Sequence, residues 1–141
     1  MQKVADLEGA LLDYWVARAG ECWEWAHNLF PTMTLDPTFK GVELFTFEGG
    51  RTVCRLVPTN PFRQDFQIFE PSTRWAHGGA VIERECVAFL VSHHEGCPPA
   101  LRFTAFHRPG QNGVQGPTHL VAAMRALVAS KYGEEGPETG E

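Results

Sequence analysis

No stretch of about eighteen apolar residues occurs in this sequence, so nothing in it reads as a membrane-crossing helix. The opening MQKVADLEGALLDYWVARAG also lacks the uninterrupted apolar run of a secretory signal. Positive charge is scarce: 12 Lys and Arg face 17 Asp and Glu, for a formal net charge of -5. That shortage excludes the dense cationic face needed for nonspecific duplex binding. It leaves a small anionic ligand open, because a pocket can be locally positive on an acidic protein. Cysteine is sparse and scattered. Cys22, Cys54, Cys86 and Cys97 form no C-x-x-C pair, which argues against a zinc site and for free thiols packed like small apolar groups. These absences predict a cytoplasmic protein with no membrane partner, no duplex nucleic acid, no metal and no cofactor.

What is present suffices for one domain. A chain of 141 residues with 43% hydrophobic side chains can bury its own core. Leu7, Ala10, Leu11, Tyr14 and Arg18 recur at three- and four-residue steps, which predicts a helix from Asp6 to Ala19 stopped by Gly20. Asp6 is expected to accept from the exposed amides of its first turn. ECWEWAHNLFPTMTLDPTFKG then mixes aromatics with Pro31 and Pro37, which rule out a long helix. Trp23 and Trp25 there read either as core or subunit contacts or as aromatics closing over a ligand.

VELFTF and RTVCRLV flank Glu48-Gly49-Gly50 and predict a hairpin. CVAFLVSHH and ALRFTAFH predict a second antiparallel pair, and RPGQNGVQGP reads as a glycine-rich loop. THLVAAMRALVASKYG predicts a helix with Thr118 as N-cap, Leu120, Val121, Met124, Leu127 and Val128 as its buried stripe, and Gly133 as its stop. The expected architecture is α+β: a single domain over residues 1–133, with an antiparallel sheet of about four to five strands. The N-terminal and C-terminal helices cover that sheet, and residues 134–141 form a disordered acidic tail.

The chemistry concentrates in Glu70 to Glu85, EPSTRWAHGGAVIERE, which falls between the two hairpin regions and reads as an excursion from the sheet. Trp75 offers a flat surface on which a base can stack. Gly78 and Gly79 can take positive φ and let backbone amides approach a ligand with no Cβ in the way. Ser72, Thr73 and Arg74 supply donors for phosphate or ribose oxygens. On a strand, Glu83 and Glu85 would face one side and Arg84 the other, with Glu83 toward ribose hydroxyls and Arg84 toward phosphate. The same residues also fit a packed turn with Trp75 in the core. Catalytic signals are poorer: Ser72 and His77 lack a nucleophile elbow, and His93-His94-Glu95 lacks ligand spacing. No catalytic residue is assigned.

EPSTRWAHGGAVIERE, with ADLEGALLDYWVARA near the start and GPTHLVAAMRALVASKYGEE near the end, resembles the NinX-like proteins of tailed phages. The likeness rests on Ala5, Asp6, Leu7, Asp13, Tyr14 and Trp15, on Pro71, Ser72, Thr73, Trp75, Gly78 and Gly79, and on Thr118, Leu120, Met124 and Arg125, with departures at Arg74, His77 and Ala80. It implies a small phage protein working in the bacterial cytoplasm and supplies no mechanism. The expected function is noncatalytic binding of a small nucleotide-like ligand, with sequestration of a host immune nucleotide signal as its purpose. The alternatives are an interaction module that inhibits or redirects a host factor and a nucleotide-processing enzyme using Glu83 or Glu85 as base. A homo-oligomer, as a dimer, is expected because one small domain rarely encloses a ligand alone.

Overall fold

A computed structural model describes residues 3–20, 39–58, 62, 68–85, 87–91, 96, 98–108 and 110–136. For Arg84 and Glu85 it describes the course of the backbone alone. Trp23, Trp25, Cys22, Cys86, Cys97, His93 and His94 lie outside these residues.

A short 3-10 turn, Val4–Asp6, opens the chain, and helix α1 follows over Gly9–Gly20. The helix begins three residues later than its periodicity predicts. Leu7 is buried to 1% exposure, and its amide closes the 3-10 turn onto the Val4 carbonyl at 3.0 Å. Gly9 then takes φ 60°, which breaks the path from the 3-10 turn, so α1 starts there and Asp6 belongs to the preceding turn.

Strands β1 (Phe39–Thr46) and β2 (Thr52–Pro58) form the expected hairpin, with Val42 opposite Leu56, Leu44 opposite Cys54 and Thr46 opposite Thr52. Gly50 sits at φ 93° in the connection, where its amide donates to the Phe47 carbonyl at 2.8 Å. Helix α2 (Trp75–Glu85) comes next, followed by β3 (Ala88–Val91), a 3-10 turn at Pro99–Leu101, β4 (Phe103–Phe106), β5 (Val114–Gly116) and helix α3 (His119–Tyr132).

The class is α+β and every described strand pairing is antiparallel. The single sheet expected from the sequence is replaced, among the described residues, by two: β1–β2, and β3–β4–β5. Beyond β2, among the described residues, the first sheet continues as one isolated bridge, Arg55 to Ile68, before the chain turns into α2. The glycine-rich loop supplies β5. Gly116 permits this, since a Cβ there would lie 2.8 Å from the Ala122 amide nitrogen, so only a bare backbone closes onto α3.

Helix α3 is the centre of the molecule rather than a cover on one face. Leu120 and every residue from Ala122 to Ala129 are buried. It packs against α1, against β4 and β5, and against α2. Alanine at 122, 123, 126 and 129 keeps its outline thin enough for neighbours on several sides. Its caps are those read from the sequence: the Thr118 hydroxyl accepts from the Val121 amide at 3.1 Å, and Gly133 ends the helix at φ 85°. Helix α1 bridges α3 and the β1–β2 hairpin with Leu12, Trp15, Val16 and Ala17 turned into the core. The first and last described segments meet: the Val4 amide donates to the Glu134 carbonyl at 3.1 Å.

Candidate ligand-binding cleft

The stretch from Glu70 to Glu85 is a turn leading into a helix, not a turn leading into a strand. The Thr73 and Arg74 amides both donate back to the Glu70 carbonyl, at 3.3 and 2.9 Å, and the Gly78 amide donates to the Arg74 carbonyl at 2.8 Å. Paired glycines ordinarily disfavour a helix, which is why the pattern suggested otherwise. Here the first of the two serves close packing. A Cβ on Gly78 would stand 2.2 Å from the Pro71 carbonyl oxygen and 2.6 Å from Leu120 Cδ2. Neither Gly78 nor Gly79 takes positive φ, so neither presents its amide in the way the sequence suggested. Glu83 and Arg84 are then related by a helical step of about 100° rather than by opposite sides of a strand.

The inner face of this segment is a buried polar knot. His77 is 1% exposed, stacks on Phe69 with centroids 6.1 Å apart, and its Nδ1 accepts from the Glu70 amide at 2.9 Å. An accepting Nδ1 places the proton of the neutral ring on Nε2. Burial lowers its pKa and Arg74 adds to that, while Glu70 opposes both. On α1, Asp13 is 3% exposed and its Oδ1 accepts from the Ser72 amide at 2.8 Å. Burial raises the Asp13 carboxyl from 3.8 to about 7, against the lowering effect of the Ser72 hydroxyl and amide and with a smaller push from Glu70. The Ser72 hydroxyl lies against that carboxylate without completing a hydrogen bond of good geometry. Cys54 lies in the same region of the core, and burial, helped by Asp13, keeps its thiol protonated. A protonated thiol is a poor nucleophile.

The outer face is different. Trp75, the first residue of α2, is 61% exposed, and its ring tilts toward His119 at a centroid distance of 6.0 Å. His119 in turn lies 4.0 Å from Phe103 of β4. These rings border a cleft of about 440 Å³. Ser72, Thr73 and Trp75 line it from the start of α2, and Thr118, His119, Leu120 and Val121 from the start of α3. Two helix N-termini therefore meet at one cleft, and their dipoles favour negative charge there. Thr73 also borders a smaller cavity of about 180 Å³, shared with Asp13, Arg51 and Glu70.

Of the residues singled out in the sequence, Ser72, Thr73 and Trp75 come together at this cleft. Arg74 is exposed but turned to Glu70, 3.9 Å away, whose carboxylate also accepts from Arg51 at 2.8 Å. Gly78 is buried beneath Pro71. Gly79 lies under the indole, since a Cβ on it would be 3.6 Å from the Trp75 ring. Glu83 is exposed about 12 Å further along α2, outside the cleft lining. The side chain of Arg84 lies outside the described residues. Sequence reasoning missed Phe103, His119, Leu120 and Val121 as lining. The one available signal was His119 itself, a polar ring placed immediately after an N-cap and off the buried stripe.

Among the described residues no group of His, Cys, Asp and Glu is disposed to hold a metal ion, and no helix is long and apolar enough to cross a membrane. Compared with known proteins, residues 3–131 match a family model described as Bacteriophage P22, NinX. No curated protein matches the chain.

Proposed function

The chain belongs to the phage NinX family, and from that premise we propose that it binds a small nucleotide-like ligand without turning it over. One observation carries the reading: the Trp75 indole stands 61% exposed at the edge of a 440 Å³ cleft instead of filling the core. A base stacked on that ring gains roughly 1–3 kcal/mol. His119 and Phe103 offer further aromatic surface, the Thr73 hydroxyl a donor, and the two helix N-termini a favourable potential for phosphate. A ligand extending along α2 would also reach Glu83. In this reading the protein works in the host cytoplasm by sequestration, removing a nucleotide signal of host immunity. A second copy of the chain closes the half-open cleft, giving a dimer.

The exposure of Trp75 also supports a second reading, in which the indole anchors a host protein. Ligand extraction with mass spectrometry, calorimetry over a nucleotide panel and Trp75→Ala separate the two. The nucleotide reading expects a bound nucleotide and a loss of roughly 5- to 150-fold in affinity in the variant. A purified chain that carries no nucleotide and gives no heat with any of them would sink it, and a stoichiometric host protein captured through Trp75 would establish the second. Light scattering at micromolar concentration tests the dimer.

A further inference from the structure

On the side of α3 where Val4 meets Glu134, Arg125 is 8% exposed, an unusual place for a guanidinium. Its Nε donates to the Leu7 carbonyl at 2.8 Å and its Nη1 to the Gln115 carbonyl at 2.9 Å. Both acceptors are neutral. No carboxylate among the described residues contacts the guanidinium, and Nη2 is left without a described partner. Burial lowers the pKa of Arg125, and the more distant Glu8 and Asp6 restore it only in part. A buried cation in this condition ordinarily has a counter-charge in contact.

The side chain lines a cavity of about 460 Å³, within the range of small-molecule sites. Val4, Leu101, Val114 and Ala129 give this cavity an apolar lining. Lys3, Glu8, Glu134 and Glu135 line it too, and the three carboxylates, facing two cations, oppose a dianion more strongly than a monoanion. We propose that this cavity is a second binding site, for a small aliphatic monocarboxylate whose carboxylate pairs with Arg125 and whose chain lies on the apolar wall. The bidentate fit of guanidinium to carboxylate supplies the geometry, and the acidic lining excludes phosphate dianions.

Hexanoate is the probe, titrated into the full chain by NMR, with hexan-1-ol and inorganic phosphate as comparators. Saturable one-to-one binding of hexanoate is expected, with the alcohol roughly tenfold weaker or more and phosphate not saturating. Arg125→Met also removes two structural hydrogen bonds, so the decisive variant is Ala5→Trp. Ala5 is an exposed residue of the cavity lining and makes neither Arg125 contact, so an indole there fills the space without removing either hydrogen-bond partner. Folded Ala5→Trp protein is expected to lose hexanoate binding. Absence of saturation by hexanoate, equal binding of the alcohol, competition by phosphate, or undiminished binding to folded Ala5→Trp would each overturn the proposal.

Discussion

Within six residues of one another, Ser72 and His77 are 2% and 1% exposed while Trp75 between them is 61% exposed. The inner pair is held by hydrogen bonds, one distant and one local: Asp13 on α1 accepts from the Ser72 amide, and the Glu70 amide donates to His77. The indole, the largest side chain in the segment, takes no part in that knot and turns to the cleft. One helix start thus carries two separable jobs, holding the fold on one side and offering a surface on the other. Substitutions on the inner face should register in stability, and substitutions on the outer face in binding.

The largest effect expected on the inner face is a dependence on pH. A carboxyl moved from 3.8 to about 7 destabilises the fold by as much as ~4 kcal/mol once it is ionised. Below about pH 4 it is protonated in folded and unfolded chains alike, so that penalty is absent. As pH rises the unfolded chain ionises first, and the penalty grows until pH passes about 7. Asp13→Asn keeps an acceptor for Ser72 without the charge. Urea unfolding should therefore show the variant gaining on the parent steadily between pH 4 and 8, and a constant difference would show that Asp13 does not titrate as described. His77 acts in the opposite sense: its lowered pKa adds stability that is present above its unfolded value and lost as pH falls through the folded one.

Gly78→Ala comes next. Its new Cβ meets a carbonyl oxygen at 2.2 Å, which cannot yield as a flexible side chain would, and a loss of roughly 2–3 kcal/mol is expected despite the better helix propensity of alanine. Thermal unfolding unchanged in that variant would mean Pro71 and α2 are not in contact. Thr118→Ala removes the N-cap of α3, at the far wall of the cleft, for about 1 kcal/mol. Last, Trp75→Ala should alter stability by no more than ~0.5 kcal/mol while weakening nucleotide binding by roughly 5- to 150-fold, which is the sharpest form of the contrast. A variant that melts early would return the indole to the fold-holding side.

How far these regions could be read in the sequence follows from how local their causes are. The β1–β2 hairpin, the β3–β4 pairing and both ends of α3 were legible, because alternation, a glycine turn, Thr118 and Gly133 act within a few residues. Helix α2 was not. Gly78 and Gly79 weaken a helix locally, and what decides for it is the fit of a bare backbone against Pro71 and Leu120, the latter 42 positions away in the chain. The division of strands into two sheets likewise depends on that helix intervening. At the cleft, Ser72, Thr73 and Trp75 were legible as a cluster because they are neighbours in sequence. Phe103 and His119 were not, since only the packing of α3 against α2 and β4 brings them there.

The hydrogen bond from Val4 to Glu134, with Arg125 gripping the Leu7 carbonyl, joins segments separated by nearly the whole described chain. On the ribosome, residues near Val4 emerge long before those near Glu134. The first turn must therefore wait, unpaired, until α3 has been synthesised and has left the exit tunnel. Assembly of the central core is in this way deferred until α3 has emerged, when non-local contacts can at last close.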